Sequence, residues 1–270
     1  MRSLFNADIK RILRDRLLLI VFILAIVFGL TTPIINFALL SLIGTEGIEF
    51  VGDLMSAKTL FFNSFSLGNN FGFIMPILMS IIICKDYSQG TIRNKIICGK
   101  TRTQIYISSL ITSTIVILVL VFIHAIITLS CSLLFFEFQS EAFTINDLAY
   151  VLISLLFKAI IYICISSFIC FLCVFARNAG LAIVVYIAIS LLLSIIGSAV
   201  SLVFMMSIPE QSNYAILEFL TYTNFFSSTH IGAGTSYTLK EVLYTILPPI
   251  LCTAGFTLFG IFKLNKKDLK

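Results

Sequence analysis

The chain has 270 residues, of which 59% are hydrophobic and only 11% charged, with a mean hydropathy of +1.07 and a formal net charge of +5. Soluble domains average about 45–50% apolar and about 25% charged residues, so too few charges are present to cover a water-facing surface. These numbers exclude a secreted disulfide scaffold, a disordered tail protein and most soluble enzymes, and they point to a bilayer as solvent.

A helix needs about 20 apolar residues to cross a hydrocarbon core of roughly 30 Å. Six runs free of Asp, Glu, Lys and Arg fit: Leu17–Thr45, Thr59–Cys84, Thr103–Phe136, Ala159–Ala176, Asn178–Pro209 and Val242–Phe262. The first is too long for a cleavable signal peptide and lacks a small-residue cleavage site, so it reads as a retained anchor. The fourth is the shortest and can extend backwards through Leu148–Phe157 if Lys158 is tolerated. Phe219–Leu239 is uncharged too, but it carries many Ser, Thr and Asn side chains, whose burial in lipid is unfavourable. It reads as a surface-lying or re-entrant segment.

Charge placement supports six spans. Arg2, Lys10, Arg11, Arg14 and Arg16 precede the first run; Lys85, Arg93, Lys95, Lys100 and Arg102 lie between the second and third. Arg177 separates the fourth and fifth, and Lys263, Lys266, Lys267 and Lys270 follow the sixth. One side thus holds 15 basic and 4 acidic residues, the other 2 basic and 9 acidic, with Lys158 unassigned. Basic loops mark the cytoplasm, so both termini are expected inside a multi-pass cell-membrane protein, of bacterial type. The +5 is a record of topology, and no nucleic-acid partner is implied.

Before the first span, residues 3–16 place Phe5, Ile9, Ile12 and Leu13 on one helical stripe, as in an amphipathic helix lying on the inner leaflet. In the loop from Lys85 to Gln104, Gly90 and Gly99 bracket a second short helix with Ile92, Ile96 and Ile97 on one face. A plain topological loop has no need of an ordered apolar face, so a docking surface is expected. Gly99-Lys100-Thr101 is not a phosphate-binding loop, because position 94 is Asn where that motif needs Gly and no strand precedes it.

These segments carry a resemblance. The N-terminal helix running into span one, the element Asp86-Tyr87-Ser88-Gln89-Gly90-Thr91-Ile92-Arg93-Asn94 followed by Thr101-Arg102-Thr103-Gln104, Arg177-Asn178, and the tail Phe262-Lys263-Leu264-Asn265-Lys266-Lys267-Asp268 resemble the ABC-2 type permeases. Those proteins are the six-helix transmembrane subunits of ATP-binding-cassette exporters. Asp86 stands where that family often has Glu. The resemblance implies an all-α polytopic fold: one transmembrane domain over 1–270, with an elbow helix at 1–16, six spans within 17–262 and a cytoplasmic tail at 263–270. It further implies a homodimer with two ATPase subunits, ATP and Mg being held by the ATPases and no cofactor by this chain. Asp86, Gly90, Thr91, Arg93, Asn94 and Arg102 would then couple the permease to the ATPase through a coupling helix.

Within the spans, an ionisable group at bilayer depth is a functional candidate by default. Lys158 is either a substrate-pathway residue or an interfacial lysine whose stem snorkels outward while span four begins near Ala159. His124, Asn69 and Asn70 are further, milder pathway candidates, each more often a helix–helix hydrogen bond than a substrate ligand. Cys170-x-x-Cys173 sits in an apolar span with no second pair and reads as small hydrophobes. No metal site and no catalytic pair emerges, so the chain is not expected to be an enzyme. The near absence of charge in the spans suggests a hydrophobic or amphipathic cargo, such as a membrane-active or antimicrobial peptide or a lipophilic drug. A stand-alone secondary transporter or channel is the alternative.

Overall fold

The computed structural model describes residues 2–43, 56–138, 144–176, 178–206, 214–224, 226, 231–232 and 236–266. Among these the fold is all-α, with ten helices and no strand: α1 (Arg2–Leu13), α2 (Arg16–Ile43), α3 (Ala57–Ser64), α4 (Asn70–Ser88), α5 (Thr91–Ile97), α6 (Arg102–Ser132), α7 (Ile145–Ala176), α8 (Ala179–Met206), α9 (Tyr214–Thr223) and α10 (Leu239–Lys266). Six of them, α2, α4, α6, α7, α8 and α10, are long and apolar enough to cross a membrane. The protein is a multi-pass membrane protein.

Local chemistry starts several of these helices. Thr101 accepts from the Gln104 N–H while the Gln104 side chain accepts from the Thr101 N–H, a reciprocal cap that opens α6. Thr144 with Asp147 opens α7 in the same way, and Thr238 with Glu241 opens α10. Asn178 turns the chain between α7 and α8 by accepting from the Gly180 N–H.

The spans form two classes. Windows of α7, α4 and α6 are 67%, 56% and 44% buried, against 22% for α2 and 17% for both α8 and α10. The first three therefore make a core around which the other three are arranged, their outward faces carrying Ile23, Val27, Leu192 and Leu258 to the lipid. The core joins Phe71, Met75 and Met79 of α4 to Ile117 and Val121 of α6 and Ile161, Ile165 and Ile169 of α7.

Four expectations need correction or refinement. The run Thr59–Cys84 is not one span: α3 ends at Ser64, the chain turns over 65–69, and the span proper is α4. Gly72 makes that turn possible, since a Cβ there would strike the backbone of Ser66 and Leu67. Its small side therefore meets its own preceding turn rather than another helix. On α1 the inward stripe is Leu4, Asp8 and Ile12, spaced by four, while Leu13 is 62% exposed. On α5, Ile92 is buried and Ile97 points away, 74% exposed. Finally, α7 runs without a break from Ile145 through Lys158, which is 1% exposed. It is therefore not an interfacial lysine preceding a span that starts at Ala159. The segment expected to lie on the surface or re-enter is described only in part: α9 packs on α8 and α10, and Phe226 and Ile231 are buried. Positions 225, 227–230 and 233–235 lie outside the described residues.

Candidate functional site

At the basic end, six charged side chains tie three segments together. Lys95 of α5 reaches Asp8 of α1 at 2.7 Å and Asp86 of α4 at 3.5 Å. Arg11 pairs with Asp86, and Lys85 with Asp15 at 2.7 Å. The Ser108 hydroxyl of α6 donates to the second oxygen of Asp8 at 2.7 Å. Three acids thus face three bases, with Asp8 and Asp86 each 3% exposed. Burial holds Lys95 and Arg11 below their usual pKa, and the neighbouring carboxylates, Asp8 above all, offset it only in part. At Asp15 burial opposes ionisation. The hydrogen bonds from Lys85 and the Leu17 N–H outweigh it and hold the carboxyl below its ordinary range.

The expected coupling residues divide across this cluster. Asp86 lies inside it and serves as the common partner of α1 and α5, so its carboxylate is not on a docking face. Arg102 also turns inward: it donates to the carbonyls of Leu264 and Asn265, closing the last turn of α10. Beside it, the Tyr106 hydroxyl donates to the Phe256 carbonyl at 3.3 Å, and its ring covers Gly260 so closely that a Cβ there would overlap it. Gly90, at φ 68°, supplies the left-handed turn that separates α4 from α5. Thr91 starts α5, and Arg93 and Asn94 project from its exposed face with Ile97.

The pathway candidates do not converge. His124 Nδ1 lies 3.0 Å from the Ala25 carbonyl of α2, with its ring 4.6 Å from Phe71, and is a fastener between α2, α4 and α6. Asn69 donates to the Asn63 carbonyl within the α3–α4 turn; Asn70 starts α4. Lys158 lies on the inward face of α7 with Ser154, Tyr162 and Ser166, at a spacing of four. One turn to either side, Ser154 meets the Tyr237 hydroxyl at 2.7 Å and Tyr162 donates to the Phe65 carbonyl at 3.1 Å. Lys158 thus sits beneath a cap built from α3, the following turn and residues around Tyr237.

Asp8 and Asp15 are the members of the ionic cluster that sequence reading passed over. The signal was present: Asp8 falls four residues before Ile12, an acid on an otherwise apolar helical stripe. Among the described residues no group of His, Cys, Asp and Glu could hold a metal ion. A family model described as a protein of unknown function (DUF2705) matches residues 17–270. No curated protein matches the chain.

Proposed function

The chain belongs to the DUF2705 family, and from the geometry of its basic end we propose that it is the membrane-spanning permease of an ATP-driven exporter. It would act as a homodimer, both termini cytoplasmic, with a separate ATPase beneath each copy holding ATP and Mg. The observation that carries this reading is α5. It is a short helix clamped to α1 and α4 by Lys95, with Arg93, Asn94 and Ile97 turned outward. A push on that exposed face is transmitted into α4 and α6 without a compliant linker, which is what a distant site needs to bias a two-state membrane domain. The mixed basic and apolar face suits a groove with acidic and apolar walls on the ATPase. Cargo is hydrophobic or amphipathic, because the described spans place few charges inward. Co-expression with an ATPase encoded beside this chain tests the reading. Wild-type chain is expected to co-purify with the ATPase, and Arg93→Glu or Ile97→Asp to release it; intact association and transport in both variants would overturn the coupling role of α5.

A second reading, a stand-alone secondary transporter, draws on Lys158, since a buried ionisable group in a span is what ion coupling uses. Proteoliposomes holding this chain alone separate the two. Transport driven by an imposed ion gradient, and abolished in Lys158→Leu, favours the second; transport that needs the ATPase and survives that substitution favours the first.

A further inference from the structure

A wholly apolar cleft of about 530 Å³ lies between α8 and α10, with α7 as its floor. Both walls pack on α7 and on α9 but make no comparable contact with each other. α9 ties both walls: Asn224, just after it, donates to the Leu193 carbonyl at 2.9 Å at the cleft's inner limit, and the Tyr222 hydroxyl donates to Glu241 at 2.8 Å at the acidic end. The cleft is therefore bounded by walls that polar contacts fix at its inner limit and beyond it. Its floor runs from Cys164 to Phe175, about 16 Å along the helix axis, roughly one leaflet of a 30 Å hydrocarbon core. Phe226 closes its inner limit near mid-membrane. At the other end, Lys263 Nζ stands 5.4 Å from the Phe175 ring centroid, the basic edge of an otherwise uncharged channel.

We propose that this cleft holds one acyl chain of an anionic phospholipid from the leaflet at the basic end, with its headgroup at Lys263. Depth, apolarity and charge agree on that occupant. The lining offers no partner to a polar molecule, whose burial would be penalised. A void of this size surrounded by lipid forfeits dispersion contacts that a chain restores. Lys263, with Lys266 one turn beyond, selects an anionic headgroup over a zwitterionic one. The site does not depend on the exporter reading and would hold for any function of the bundle.

The test uses the purified full chain in phosphatidylcholine vesicles containing phosphatidylglycerol with a diazirine on one acyl chain. Illumination is expected to label peptides covering 164–175 and 185–193 more heavily than α2, whose Ile23 and Val27 face ordinary lipid. Lys263→Glu should lower phosphatidylglycerol labelling about fivefold and leave a matched phosphatidylcholine probe unchanged. Ile189→Trp, which fills the cleft, should lower both, and Val185→Trp repeats the block if the first variant fails to fold. Even labelling across α2, α8 and α10 would overturn the proposal. So would indifference to Lys263→Glu, or a disulfide between two copies of an Ile189→Cys variant in place of lipid labelling, because a second copy would then cover the cleft.

Discussion

The two ends of the helical bundle are held by different chemistry. At the basic end, charged side chains from segments far apart in sequence meet across α1, α4 and α5. At the acidic end the fastenings are largely neutral: Tyr237 stacks on Tyr150 at 4.5 Å, shares its hydroxyl with Ser154 and accepts from the Gly232 N–H. Gly232, at φ 95°, lies against the Phe62 ring, where any side chain would clash. Ionic fastenings respond to salt, pH and nearby charge, so the basic end is the electrostatically sensitive one. Aromatic stacking and neutral hydrogen bonds are largely indifferent to salt and pH, so the acidic end is expected to hold where the basic end weakens.

Four measurements sharpen or break this contrast, and the largest effect is expected at Asp86. Asp86→Ala leaves Arg11 and Lys95 facing each other without their shared carboxylate. Lys95 keeps Asp8 at 2.7 Å, but Arg11 loses the carboxylate it pairs with; losing a bond to a charged group costs about 2 kcal/mol, so the melting temperature in detergent should fall clearly, and a change within error would mean that charge does not hold this end. Tyr237→Phe removes one hydroxyl that serves two partners and is expected to cost about 1–2 kcal/mol, with no dependence on salt. Acid titration separates the ends directly. Because the folded Asp15 carboxyl is held below its unfolded value of about 3.9, its contribution is present above that value and is lost as pH falls through the folded one. Wild-type protein should lose melting temperature below about pH 4, Asp15→Asn should lose less, and Tyr237→Phe should keep the wild-type slope. The smallest effect belongs to Lys240→Ala, which breaks a pair with Glu218 at 2.6 Å in which the lysine is half-exposed and should change stability by about 0.5 kcal/mol.

Much of the helical layout was legible because it is local. Long apolar runs and the breaks at Gly90 and Gly99, both at positive φ, act within a few residues. The errors arose where a distant partner decides. One exception is local: Thr59–Cys84 is uncharged throughout, but Ser66, Gly68, Asn69 and Asn70 mark the turn at which the chain folds back on Gly72 and divides it. The stripe on α1 was assigned by hydrophobicity alone. Its true inward face includes Asp8, acceptable there because Lys95 and Ser108 supply the missing hydrogen bonds. Asp86 and Arg102 were expected at a docking face on the resemblance alone, and sequence could not tell an outward docking charge from an inward fastening.

By itself, the sequence determined the solvent, the number of crossings and the clustering of basic residues at one end. Hydropathy over some 20 residues and loop charge need no knowledge of neighbours. Only the tertiary structure decided that Lys158 is enclosed beneath a cap, that α1, α4 and α5 share one ionic cluster, and that α8 and α10 stand apart around a cleft. Each depends on which helix faces which, and in a bilayer that choice rests on small packing and hydrogen-bond differences between surfaces that are all apolar.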